Sequence, residues 1–110
     1  MTQFTLSTHV LDLDSGQPAE GLLVALATAE GDLIGQVATD ADGRIKEWPD
    51  VSQLEGGTYS LVFEVSVWYA EREQACFYPE VRVEFIADEA RHYHVPLLLN
   101  RFGYSTYRGS

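Results

Sequence analysis

A chain of 110 residues accommodates one compact domain with one modest core, and residues 1–110 are read as a single domain. Apolar residues at 45% and charged residues at 22% are ordinary for a folded protein and exclude an intrinsically disordered chain. Acidic residues number 17 against 7 basic ones, and the resulting charge of −10 repels a phosphate backbone, which excludes nucleic acid as a partner.

Strands dominate the pattern. Phe4 to Asp12 alternates, with Phe4, Leu6 and Val10 on one face and Thr5, Ser7 and His9 on the other. Asp14-Ser15-Gly16 and Pro18 make a turn, Gly21 to Thr28 is a short apolar strand, and Glu30-Gly31-Asp32 leads through a hairpin into Leu33 to Thr39. Asp40-Ala41-Asp42-Gly43 is another turn, after which Arg44 and Ile45 begin a brief extended piece. Thr58 to Val65 alternates strongly, and Gly56-Gly57 before it reads as a turn. Ala70-Glu71-Arg72-Glu73 favours helix, which predicts one short helix within Ser66 to Gln74. Val81 to Ala87, Arg91 to Asn100 and Phe102 to Arg108 complete the set. Short strands with regularly spaced turns predict an all-β, antiparallel sandwich or barrel.

Cys76 is the only cysteine, so no intrachain disulfide forms and a reducing compartment is the simpler expectation. No apolar run approaches the ~20 residues that span a bilayer. The opening Met-Thr-Gln-Phe-Thr-Leu has no basic or apolar leader pattern, and Arg108-Gly109-Ser110 is not a peroxisomal address. A cytoplasmic location without membrane contact is expected.

The first functional clue lies in Arg91 to Asn100. One face carries Tyr93, Val95, Leu97 and Leu99, which suits a core. The other carries His92, His94, Pro96 and Leu98, a half-apolar face that suits a subunit interface or ligand site. His9 also falls on the non-core side of its strand, so all three histidines face outward. Zinc is one reading of them, but the ligand set is thin and no carboxylate-rich loop or cysteine pair stands nearby, so no metal and no cofactor are expected. Arg44, after Asp42-Gly43, either pairs with a surface carboxylate or holds a planar, carbonyl-rich anion through its fork of donors. Cys76 sits among Glu71, Glu73 and Glu80, a setting for a structural thiol rather than a nucleophile. Tyr107 and Arg108 alone would read as a frayed end.

Four stretches carry a resemblance. Leu6-Ser7-Thr8-His9-Val10-Leu11-Asp12, Asp42-Gly43-Arg44, His92-Tyr93-His94-Val95-Pro96-Leu97-Leu98-Leu99 and Tyr104-Ser105-Thr106-Tyr107-Arg108-Gly109-Ser110 resemble, in order, the motifs of the transthyretin-related 5-hydroxyisourate hydrolases. Phe77-Tyr78-Pro79-Glu80 fits the family as well. Asn100-Arg101 departs from it, standing where many members resemble Ser-Pro. The resemblance implies a transthyretin-like sandwich of two four-stranded sheets with one short helix. It further implies a homotetramer whose sites lie in a channel at the dimer–dimer interface. The activity implied is hydrolysis of 5-hydroxyisourate, with His9, Arg44 and His94 as catalytic residues. His9, Arg44 and Tyr107 are implied to bind substrate, with secondary roles for His92, Arg108 and Ser110. The alternative is a non-catalytic binding protein of the same fold. The histidine pair and the Tyr-Arg-Gly-Ser ending, which the hormone carrier transthyretin lacks, favour the enzyme.

Overall fold

The computed structural model describes residues 2–48, 51 and 53–109. Among these residues the elements run β1 (Gln3–Asp12), β2 (Gln17–Pro18), β3 (Leu23–Thr28), β4 (Leu33–Ala38), β5 (Arg44–Ile45), β6 (Leu54–Glu55), β7 (Gly57–Phe63), α1 (Val65–Ala70), β8 (Val81–Ala87), β9 (His92–Leu99) and β10 (Tyr104–Thr106). They form two sheets that enclose one core. One is four-stranded in the order β4-β3-β7-β8. The other follows β10-β9-β1-β2, and the two-residue strands β5 and β6 also pair with β1. The expected pair of four-stranded sheets is therefore present, with two short additions to the second.

Strand alternation builds the core. Phe4, Leu6 and Val10 of β1 and Leu97 and Leu99 of β9 are buried against Leu26, Leu61 and Phe63 of the facing sheet. Each such side chain contributes about 1.5–3 kcal/mol on burial. The pairing of β1 with β9 differs from the antiparallel expectation: it is parallel, from Thr5 opposite His92 to Asp12 opposite Leu99. Alternation within a strand does not reveal which strand lies beside it, so this pairing was hidden from a sequence reading.

The helix fills the first part of the expected stretch, beginning one residue before Ser66. It covers Val65–Ala70 because Val65, Trp68 and Tyr69 share one buried face. Nothing apolar from Glu71 to Gln74 can continue that face, and Glu73 closes the turn at a φ of 57°. Arg72 lies over the Trp68 ring at 3.6 Å. Tyr69 reaches across to β1, its hydroxyl donating to Asp12 Oδ1 at 2.6 Å, while Ser15 Oγ donates to Asp12 Oδ2 at 2.7 Å. Burial, and then Asp12, push the Tyr69 phenol far above the ordinary range. Cys76 is half-buried and packs against the core, as a structural thiol would. Gly57, expected in a turn, begins β7. No described helix is long and apolar enough to cross a membrane.

The last strand is shorter than the expected Phe102 to Arg108. Regular pairing stops at Thr106 opposite Leu97, and contact with β9 returns at Gly109 opposite His94. Tyr104 is 44% exposed and meets Tyr78 edge-on, with ring centroids 5.3 Å apart.

Candidate active site

The parallel pairing places the outward residues of β1 beside those of β9. Thr5 lies opposite His92, Ser7 opposite His94, and His9 opposite Pro96. Arg44 arrives from the other side of β1, directly opposite His9. A tight turn delivers it. Gly43 has a φ of +74°, and a Cβ there would come within 2.5 Å of Val10 O, so only glycine fits. The turn is held by Asp40, whose Oδ1 accepts from the backbone N–H groups of Asp42 and Arg44, each at 2.9 Å.

The result is a shallow depression of about 270 Å³ lined by Ser7, Thr8, Arg44, Lys46, His92 and His94. Two of the seven basic residues therefore meet two of the three histidines. His9 stands beside the depression, half-buried. Among the described residues the Arg44 guanidinium makes no ion pair; the one salt bridge joins Arg82 to Glu80.

The two imidazoles are joined. Thr5 Oγ1 lies 2.6 Å from His92 Nδ1, Ser7 Oγ lies 2.8 Å from His92 Nε2, and the same Ser7 Oγ lies 2.7 Å from His94 Nδ1. His92 thus belongs to the same depression as His94. Burial is the main force holding His94 below the ordinary histidine range. Arg44, His9 and His92 add repulsion against a proton there, and only a hydrogen bond to the Ser7 backbone opposes the trend. His94 is consequently a neutral imidazole at neutral pH.

Gly109 completes this side of the site. Its N–H donates to His94 O at 2.8 Å, and a Cβ on it would lie 2.6 Å from His94 Cδ2. Neither Ser7, Lys46 nor Gly109 was singled out from the sequence as a site residue. Alternation did place Ser7 on the His9 face, but its contacts depend on strand order.

Tyr107 and Arg108 lie elsewhere in the single chain. With Val83, Phe85, Ile86, Tyr93, Val95 and Thr106 they line an apolar cleft of about 200 Å³ at the edge of the sandwich. The backbone leaves regular pairing after Thr106, so strand alternation does not extend to Tyr107. Ser110 is outside the described residues. Among the described residues no three His, Cys, Asp or Glu side chains stand together in a way that could hold a metal ion; His9, His92 and His94 form no such group.

The fold and this cluster define a transthyretin-like sandwich with a histidine–arginine site on the outer face of one sheet. The family described as HIUase/Transthyretin matches residues 6–109, and the chain belongs to that family. It is 43% identical over 110 residues to the 5-hydroxyisourate hydrolase of Salmonella dublin, covering 96% of this chain and 80% of that one. Its fold matches the structure of Klebsiella pneumoniae 5-hydroxyisourate hydrolase with a TM-score of 0.88 and 38% identity, over 96% of this chain and 99% of that one. It also matches sea bream transthyretin in complex with thyroxine, with a TM-score of 0.85 and 29% identity, over 94% and 93% of the two chains.

Proposed function

We propose that this chain hydrolyses 5-hydroxyisourate, opening its six-membered ring at an amide-type carbonyl to give 2-oxo-4-hydroxy-4-carboxy-5-ureidoimidazoline on the way from urate to S-allantoin. The observation that carries the reading is the cationic, imidazole-lined depression on a protein of net charge −10. Such a surface suits an electron-rich heterocycle that gains negative charge during reaction. In this reading a neutral histidine, His94 or His9, takes a proton from water as the water oxygen bonds to the ring carbonyl carbon. The carbon–nitrogen bond then breaks, and the departing nitrogen receives a proton from the other histidine. Arg44 holds the ring and offsets charge on the carbonyl oxygen. No metal enters the scheme, so turnover survives exhaustive chelation.

Tyr107 belongs to the same reading only in an assembly. In a homotetramer with sites at the dimer–dimer interface, neighbouring chains share the channel and Tyr107 contributes a hydrogen bond to substrate. The setting is cytoplasmic. Ultraviolet absorbance tests the activity: freshly made 5-hydroxyisourate loses its band faster with the protein present, and an unchanged decay rate sinks the proposal. The likeness to a thyroxine-bound transthyretin favours a second reading, a non-catalytic carrier. That reading predicts tight ligand binding with no acceleration of the decay.

A further inference from the structure

The four side chains Thr5, His92, Ser7 and His94 form an unbroken hydrogen-bond chain across two parallel strands. A serine hydroxyl has one proton to donate, so Ser7 donates to one imidazole and accepts from the other. Two arrangements satisfy every atom. In the first, His94 Nδ1–H donates to Ser7, Ser7 donates to His92 Nε2, and His92 Nδ1–H donates to Thr5. His94 Nε2 is then a bare lone pair, the form a base requires. In the second, every donor is reversed and His94 Nε2 carries the proton, the form an acid requires.

We propose that Ser7 and His92 are positioning residues that act as a proton relay behind His94, moving the proton that His94 accepts onto the exposed His92 imidazole. The inference rests on the reading of His94 as a group that handles the proton of the attacking water. The balance is simple. Starting from the first arrangement, His94 Nε2 gains the proton from water. His94 Nδ1 passes its own proton to Ser7 Oγ, and Ser7 passes its original proton to His92 Nε2. His94 ends neutral with a proton on Nε2, and His92 holds the positive charge. No bond other than these O–H and N–H bonds is made or broken.

The surroundings favour that direction. His94 is half-buried and His92 is exposed, so charge is better solvated on His92. Arg44 and His9 both act against a positive charge resting on His94, from β5 and β1, while Lys46 lines the depression beside both histidines. The sequence reading gave His92 a secondary role and Ser7 none; the chain of contacts gives both a task.

Three variants and two measurements test the relay on the full-length protein. Ser7→Ala breaks the chain, Ser7→Thr keeps the hydroxyl on a strand that tolerates β-branching, and His92→Gln keeps a hydrogen bond but cannot hold the proton. Turnover of 5-hydroxyisourate is expected to fall by about tenfold to a hundredfold in Ser7→Ala and His92→Gln, with KM little changed. Ser7→Thr is expected to stay near the parent rate, and millimolar imidazole buffer to restore part of the loss in the other two. Nitrogen-15 NMR of the ligand-free protein, which needs no activity, should show the His94 Nδ1 resonance move in Ser7→Ala and not in Ser7→Thr. Parent-level turnover in Ser7→Ala, a loss that Ser7→Thr shares, or an unmoved His94 resonance would each overturn the relay while leaving hydrolysis intact. Absence of turnover in the parent protein would instead sink the hydrolase reading, and the NMR result would still decide whether Ser7 joins the two imidazoles.

Discussion

The backbone of Gly109 lies against the imidazole of His94, so close that a Cβ would stand 2.6 Å from Cδ2, 3.2 Å from Cγ and 3.3 Å from Cβ of that residue. The absence of a side chain at position 109 is therefore what lets the ring keep its bond to Ser7. Gly109→Ala is predicted to push the ring aside by a sizeable fraction of an ångström. A displacement of that order commonly costs about a hundredfold in rate. Steady-state kinetics and a thermal melt check this, with kcat falling and the melt moving little. Unchanged kcat would show that the ring yields without consequence.

His9→Ala and His94→Ala are each predicted to lower kcat by about two orders of magnitude, the usual result of losing a positioned acid or base. Both side chains sit on the outer face, so unfolding transitions in urea should stay close to the parent. A variant that retains parent turnover removes that histidine from the proton chemistry.

Arg44→Lys is predicted to lower kcat/KM by about tenfold, roughly the loss of one charged hydrogen bond. Lysine preserves the charge but not the planar fork that engages two acceptors at once. The turn that presents position 44 uses backbone N–H groups and Gly43, so the substitution leaves it intact. Equal kcat/KM for the two proteins would mean that charge alone suffices.

The pH profile carries a signed expectation. A base must be neutral to act, and burial chiefly, with Arg44 adding to it, holds His94 below the ordinary histidine range. The acid limb of kcat/KM should therefore fall at a pH below the ordinary histidine value rather than at it. Stability moves in the same sense. A histidine whose folded pKa is depressed favours the fold above its unfolded pKa, and that contribution is lost as pH falls through the depressed value. A limb at or above the ordinary histidine pKa would assign the base to another group.

Much of this was legible before any coordinates. Alternation alone placed Phe4, Leu6, Val10, Tyr93, Val95, Leu97 and Leu99 inside and Ser7, His9, His92 and His94 outside, and the burial of β1 and β9 agrees. That reading works because side chains on a strand face opposite ways whatever the strand's neighbours are. What it cannot supply is adjacency. The parallel pairing of β1 with β9 decides that Ser7 touches two imidazoles, and it depends on how the whole chain folds. The helix falls in the expected stretch but stops at Ala70, because the burial of Val65, Trp68 and Tyr69 outweighs local propensity at Ala70 to Glu73. Tyr107 was expected at the site only from the resemblance, since strand pairing ends one residue before it, at Thr106.

That same parallel pairing sets an order of events in time. The contacts that join Ser7 to His92 and His94 span 85 and 87 residues of sequence. During synthesis, Thr5, Ser7 and His9 are made early and must wait, unpaired on one side, for nearly the whole chain to follow. A chain interrupted before β9 would hold every strand of the β4-β3-β7-β8 sheet, yet it would lack both imidazoles that Ser7 joins. Contacts closed over such distances also slow folding, into the range of milliseconds to seconds typical of β-sandwiches. The paired imidazoles and the completed β1–β9 sheet therefore arrive together.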